Sequence, residues 1–257
     1  MIDFSALKIA LAQLAHEGIF VGTSSWKYPG WIGQLYQPDR YQYRGRLSKS
    51  RFQDSCLEEY AEIFPSVCVD ASYYQFPSEK YLANLTEKVP PDFRFSHKVT
   101  DTITIKNFPT LKRHGEFSGR ANPCYLNPDI FLKSFLYPLT PHRERTGLII
   151  FEFSRFYPRD YRYGREFVSE LDLFLSNLPT NEWDFGVEIR NPSLLQKAYF
   201  DTLERHSVAH VYNQWQRMPD LSEQLKLRPP IPDNSPTGCR LLCLLYTSPS
   251  PRDRVQS

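Results

Sequence analysis

Two glycine-rich signatures that cradle phosphate groups, GxGxxG and GxxxxGK[ST], are missing from the chain. Their absence argues against a Rossmann-type dinucleotide site and against a P-loop. No apolar run approaches the length of about 18 residues that a membrane helix needs, so no membrane partner is expected. The opening MIDFSALKIALAQLAHEG lacks a basic n-region and a continuous apolar stretch. It reads as an amphipathic helix and not as a signal peptide. The five cysteines (56, 68, 124, 239, 243) form no CxxC pair and are odd in number. That pattern fits a reducing, cytoplasmic setting. Cys68, inside an apolar run, reads as a small buried residue. Charge of either sign is not in excess: 31 basic against 29 acidic residues give a net +2. Such a balance offers no argument for a polyanionic partner, which normally needs a concentrated basic face.

What is present is an alternation. Ile2 to His16 has apolar residues at helical spacing (Phe4, Leu7, Leu11, Leu14) and stops at Gly18. Strand-like runs follow at Ile19–Ser24, Ser66–Tyr74, Phe93–Thr100, Gly147–Phe153, Phe185–Ile189 and Val208–Gln214, and Cys239–Leu245 could begin a seventh. Helical patterns separate them at Ser55–Phe64, Ser78–Lys88, Ile130–Tyr137, Arg165–Asn177 and Ser193–Arg205. The stretch from Asp101 to Pro128 is long and poorly patterned. Strands alternating with crossover helices predict a parallel sheet. The length and the missing nucleotide fingerprint favour an α/β fold of the TIM-type (β/α) barrel kind over an open doubly wound sheet.

Side chains alternate along a strand. In each run the apolar set (Val67/Val69, Phe93/Phe95, Phe151/Phe153, Val187/Ile189) suits the helix-packed outside of a barrel. The opposite set carries polar residues late in each run: Asp70, Lys98, Glu152, Glu188, Arg190 and Asn213. Late positions lie at the C-terminal mouth, where this fold keeps its active sites. VGTSSWKYPGW, at the exit of the first strand, places Ser24, Trp26, Tyr28 and Trp31 over the same mouth, and Tyr74 follows the second strand. Aromatic walls around a few convergent charges make a ligand pocket.

The chemistry this admits is general acid–base catalysis on a small polar, sugar-like or phosphorylated substrate. Asp70, Lys98, Glu152 and Glu188 are the catalytic candidates. Ser24, Trp26, Tyr28, Trp31, Tyr74, Arg190 and Asn213 are the substrate-binding ones. A lysine flanked by carboxylates keeps its proton, whereas one in an apolar pocket loses it; the sequence leaves both open. The bland alternative for Glu188 and Arg190 is an ion pair that closes the barrel. A metal held by Asp70, Glu152 and Glu188 would suit an oxygen-loving cation, but no inward histidine accompanies them, so no metal or cofactor is expected. His97 falls in the outward set. A second class of function is a non-catalytic binding protein for a ligand or nucleic acid, using aromatic stacking and basic loops such as RYQYRGRLSKSR. A small-molecule ligand is the favoured partner.

GTSSWKYPGW, YAEIFPSVCVDASYYQFP, PPDFRFSHKVTDTIT, GLIIFEF and FGVEIRNPS resemble, in that order, the landmarks of the YecE-like family (domain of unknown function 72). The resemblance runs from about Gly18 to Pro219. It implies a TIM-type barrel and supplies no reaction. The chain departs from the family pattern at Asp70, often Glu, and at Glu152, often Gln.

An eight-stranded barrel needs two strands after Asn213. The segment LRPPIPDNSPTG is loop-like, CRLLCLL has strand character, and LLYTSPSPRDRVQS is polar and proline-rich. The expectation is one barrel domain over residues 1–245, incomplete by its last one or two strands. Residues 246–257 are expected to be a disordered tail that resembles translated adapter sequence.

Overall fold

The computed structural model describes residues 4–227 and 236–241. The first helix runs over Phe4–His16. The strands, in chain order, are β1 (Gly22–Thr23), β2 (Gln42–Tyr43), β3 (Arg46–Leu47), β4 (Ser66–Val69), β5 (Arg94–Lys98), β6 (Thr146–Phe153), β7 (Phe185–Ile189), β8 (Ala209–Asn213) and β9 (Gly238–Arg240). β2 and β3 form an antiparallel hairpin of their own. The other seven pair in parallel in the order β1-β4-β5-β6-β7-β8-β9, each beside its predecessor. Helices Lys49–Ala61, Glu79–Thr86, Gly164–Leu175 and Lys197–Arg205 provide crossovers. This is the strand order of a (β/α) barrel with seven strands among the described residues. The sheet is curled: Arg240 on β9 touches Glu152 on β6, although three strand spacings of about 4.8 Å separate their positions along the sheet. The expected tail at 246–257 lies outside the described residues.

The outer faces of the strands carry the core, because alternation sends one side chain in two toward the helices. Ile149, Phe151, Phe153, Phe185, Val187 and Ile189 pack with Phe167, Leu171 and Phe174 of helix Gly164–Leu175 in one apolar cluster. Each such fully buried ring or branched chain contributes roughly 1.5–3 kcal/mol. A second cluster joins Val67, Val69, Phe93 and Phe95 to Phe52, Leu57 and Tyr60 of helix Lys49–Ala61. The inner faces meet in layers. Leu148 fills space left open by Gly186 and Gly238, where an added Cβ would lie 2.9 and 2.6 Å from its Cδ2. At the first strand, a Cβ on Gly22 would lie 2.1 Å from the Ser66 carbonyl oxygen, so the β1–β4 contact requires glycine.

Three local readings change. The second strand ends at Val69, not Tyr74; Asp70 adopts a helical φ/ψ (−64°, −24°) and Ala71–Tyr74 form a helical turn. Helix Lys49–Ala61 begins six residues before Ser55, because the Ser48 side chain accepts the Arg51 amide and caps it. The poorly patterned stretch after β5 is ordered by side chains and not by periodicity. Asn122 donates to the Thr102 and Ile105 carbonyls at 2.8 and 2.7 Å, and Lys106 reaches Glu170 at 2.7 Å.

Candidate functional site

The mouth begins with a register fact. Glu152 and Glu188 are directly paired positions on neighbouring parallel strands. Side chains so paired share a face, and two carboxylates side by side repel each other. Both are buried: the Glu152 side chain is 0 % and the Glu188 side chain 2 % exposed. Such a pair stays ionised only if cations surround it. Three do. Arg190, two residues beyond Glu188, reaches Glu152 at 2.9 Å through Nη2 and Glu188 at 3.4 Å through Nε. Arg240 donates from Nη1 to Glu152 at 2.6 Å and also to Glu188. Lys98, at the end of β5, lies 3.3 Å from Glu152.

The third carboxylate differs. Asp70 lies 2.5 Å from the Lys98 ammonium, yet its side chain is 36 % exposed while that of Lys98 is 3 % exposed. Its helical backbone lifts it off the end of β4 toward solvent. Three cations therefore interlock with three carboxylates, and only Asp70 among the carboxylates opens outward. Burial opposes the charge on Lys98, but Glu152 and Asp70 together outweigh it and hold its pKa above the ordinary lysine value. Lys98 is accordingly a fixed ammonium and not a free-amine base. Burial likewise opposes the charge on Arg240, and Glu188 and Glu152 overcome it. Cys68, on β4 below Asp70, is half-buried; burial and the Asp70 charge push its thiol up to about 11, so it is neutral near pH 7.

Aromatics form two walls. Tyr28 is half-buried, and its pKa is raised by burial, against a hydrogen bond with Ser24; the Asp70 charge adds to the rise and that of Lys98 opposes it. Trp31 packs against Tyr28 with ring centroids 4.5 Å apart and planes tilted by 49°. On the other side the Arg190 guanidinium lies 3.8 Å from the centroid of Trp215.

The structure thus brings together Asp70, Lys98, Glu152, Glu188 and Arg190, with Tyr28 within electrostatic range of Asp70 and Lys98; Ser24 and Trp31 adjoin Tyr28, and Trp31 also packs against the outer cluster. It does not bring Trp26 there. That ring is buried in the outer core with Tyr36 and Phe52, because the loop after β1 folds back over helix Lys49–Ala61. Tyr74 is half exposed on its helical turn, with Arg113 over its ring at 5.3 Å. Asn213 is buried and holds the loop that follows β8: its Nδ2 donates to the Ile189 carbonyl at 3.0 Å and its Oδ1 accepts the Trp215 amide at 3.3 Å. His97 is buried on the outer face, 3.3 Å from the Ser72 hydroxyl, and burial lowers its pKa to about 3. Among the described residues no three His, Cys, Asp or Glu side chains form a group able to hold a metal ion. The acids at the mouth face cations instead of an open coordination site.

Two mouth residues escaped the sequence reading. Trp215 follows the sixth run as Trp26 follows the first, a positional signal in plain view. Arg240 is the second residue of CRLLCLL, a segment credited only with strand character, and it ends β9. Among the described residues no helix is long and apolar enough to cross a membrane.

Comparison with known proteins bears on the whole of this architecture. A family model described as a protein of unknown function, DUF72, matches residues 20–241. The UPF0759 protein YecE of Escherichia coli K12 is 26% identical over 180 residues, which are 70% of this chain and 51% of YecE. The YecE of strain O157:H7 matches to the same extent. The chain therefore spans about half the length of the curated relatives it matches. Two solved DUF72 family proteins share the fold. The one from Enterococcus faecalis V583 aligns with a TM-score of 0.54 at 20% identity, covering 78% of this chain and 62% of that one. The one from Thermotoga maritima MSB8 aligns with a TM-score of 0.52 at 22% identity, covering 78% and 66%. With a family model that takes in every strand of the parallel sheet and every charged residue of the mouth, this chain belongs to the DUF72 family.

Proposed function

We propose that the mouth is the active site of an enzyme that acts on a small polar substrate by general acid–base chemistry. One observation carries this reading: of three carboxylates in a charge-balanced cluster, only Asp70 is open to solvent, and it sits 2.5 Å from a buried, fixed ammonium. Asp70 is the base. It takes a proton from a hydroxyl or an activated C–H of the substrate. The negative charge that this leaves on the substrate develops beside Lys98, whose ammonium is already oriented by Glu152. Glu152, Glu188, Arg190 and Arg240 hold Lys98 in place. Tyr28, Trp31 and Trp215 supply flat apolar walls of the kind that seat a sugar ring or another planar face.

The test is a panel of sugars and sugar phosphates, scored for isomerisation, epimerisation or hydrolysis with wild type and Asp70→Asn. Loss of the base should lower any turnover by roughly 10²–10⁴-fold, and because Lys98 keeps Glu152 as a partner the variant should remain folded under the assay conditions. Turnover that survives in Asp70→Asn rules out this assignment.

A further inference from the structure

A second feature of the same face does not depend on Asp70. Loops that follow strands of a parallel barrel all emerge at its C-terminal end. Two of them, after β1 and after β6, carry exposed tyrosines flanked by arginines. Tyr43 has Arg51 and Arg44 over its ring at 5.0 and 5.3 Å. Tyr163 has Arg165 and Arg162 at 4.5 and 5.4 Å, and Tyr157 has Arg155 at 5.5 Å. All three rings are about half exposed.

Two of the arginines stand where local physics disfavours them. Arg44 has φ +52° in the two-residue turn between β2 and β3, ahead of Gly45 at +74°. Asn fits that left-handed position with less strain than a long side chain. Arg165 lies in the first turn of helix Gly164–Leu175, where the helix dipole opposes a cation. Neither forms an ion pair among the described residues. The acids nearby are engaged elsewhere: Glu166 accepts the Arg162 and Tyr163 amides, Asp160 accepts from Tyr157 and Asn107, and Glu58 pairs with Arg40. Residues held in strained backbone conformations, as Arg44 is, cluster at ligand-binding sites. The hairpin is firmly presented, since Arg51 donates to the Gln42 carbonyl at 3.0 Å and Ser48 to that of Tyr41 at 2.8 Å.

We infer that the C-terminal rim of the barrel is a binding surface for single-stranded nucleic acid. The guanidinium groups contact phosphates, and the tyrosine–arginine stacks offer planar surfaces for unpaired bases. Separate flat cation–π stacks suit splayed bases better than a continuous duplex or a lipid surface.

The test is anisotropy titration of a fluorescent oligouridylate of about 12 nucleotides, at salt from about 50 to about 200 mM. The variants are Arg44→Asn with Arg165→Gln, and Arg205→Gln as a control, an exposed arginine that ends helix Lys197–Arg205 just before β8 and so lies at the opposite end of the barrel. The double variant relieves a strained turn and an unfavourable charge, so its unfolding midpoint should hold or rise. Its affinity should fall at least about tenfold, and the slope of log K against log salt should lose about 1.4, two contacts at about 0.7 each. Arg205→Gln should bind as wild type. No binding at low salt, equal binding by the double variant, or equal loss in Arg205→Gln would each overturn the inference. So would tighter binding to phosphatidylserine-containing vesicles than to the oligonucleotide.

Discussion

Glu152→Gln is the most informative single change in the mouth. The substitution preserves shape and one acceptor oxygen but removes the charge that faces Lys98, Arg190 and Arg240 at 3.3, 2.9 and 2.6 Å. Three cations would then face two carboxylates. Removing one partner of a buried ion pair costs about 3–5 kcal/mol. The retained amide oxygen places the loss near the low end, about 3 kcal/mol, and Glu152 is fully buried, so solvent does not screen it away. For a chain of this size that corresponds to a fall in Tm of roughly 6 °C. The effect has a pH signature as well. Lys98 is held above its ordinary value, so its contribution to stability is complete below about pH 10.4 and is lost as pH rises through the folded-state value. Glu152 is the strongest of the groups that raise it. Without Glu152 the folded-state value drops, so the alkaline loss of stability contributed by Lys98 becomes smaller and ends at lower pH, while its onset, set by the unfolded chain, stays near pH 10.4. Urea unfolding of both proteins from neutral to strongly alkaline pH measures the two effects together. A variant within about 0.5 kcal/mol of wild type, the scatter of ordinary surface changes, would refute the interlocked-charge reading.

Two further outcomes follow from buried groups. His97, neutral in the fold with a pKa near 3, takes up a proton more readily when unfolded, so it contributes stability that is complete above about pH 6.5 and is lost progressively as pH falls toward 3. His97→Gln should flatten the acid limb of the stability profile, and an unchanged limb would contradict that burial. Cys68, raised to about 11, should alkylate with iodoacetamide at pH 7.5 far more slowly than the exposed Cys239, as read by peptide mass mapping; equal rates would show an open, activated thiol.

Much of the site was legible because two simple rules sufficed. The period of two separated Glu152 and Glu188 from the Phe and Val residues on either side of them, and late position in the run placed them at the mouth. Those rules reach their limit where a residue leaves the strand. Asp70 was assigned by alternation to a run that ends one residue earlier, and its exposure comes from a helical backbone that alternation cannot report. Trp26 fails for a similar reason: the loop after β1 is long enough to fold back, and Tyr36 and Phe52 capture the ring in the outer core. Arg240 belongs to a strand of three residues, too short to carry a period. What fixes it is pairing with β8, where Arg240 lies opposite Asn213, and pairing partners are not written in a single sequence. The stretch after β5 is held by Asn122 and Lys106, residues whose roles depend on distant carbonyls and on Glu170.

The central claim is the asymmetry among the mouth carboxylates, with Asp70 open and Glu152 and Glu188 sealed by cations. Carbodiimide labelling of the folded protein with glycine ethyl ester, followed by peptide mass mapping, tests it without knowledge of a substrate. Exposed Glu182, with 58 % of its side chain accessible, serves as the internal reference. Asp70 should label at a rate comparable to Glu182, while Glu152 and Glu188 should label only after unfolding. Labelling of Glu152 or Glu188 in the folded state at the Glu182 rate, or full protection of Asp70, would contradict the account.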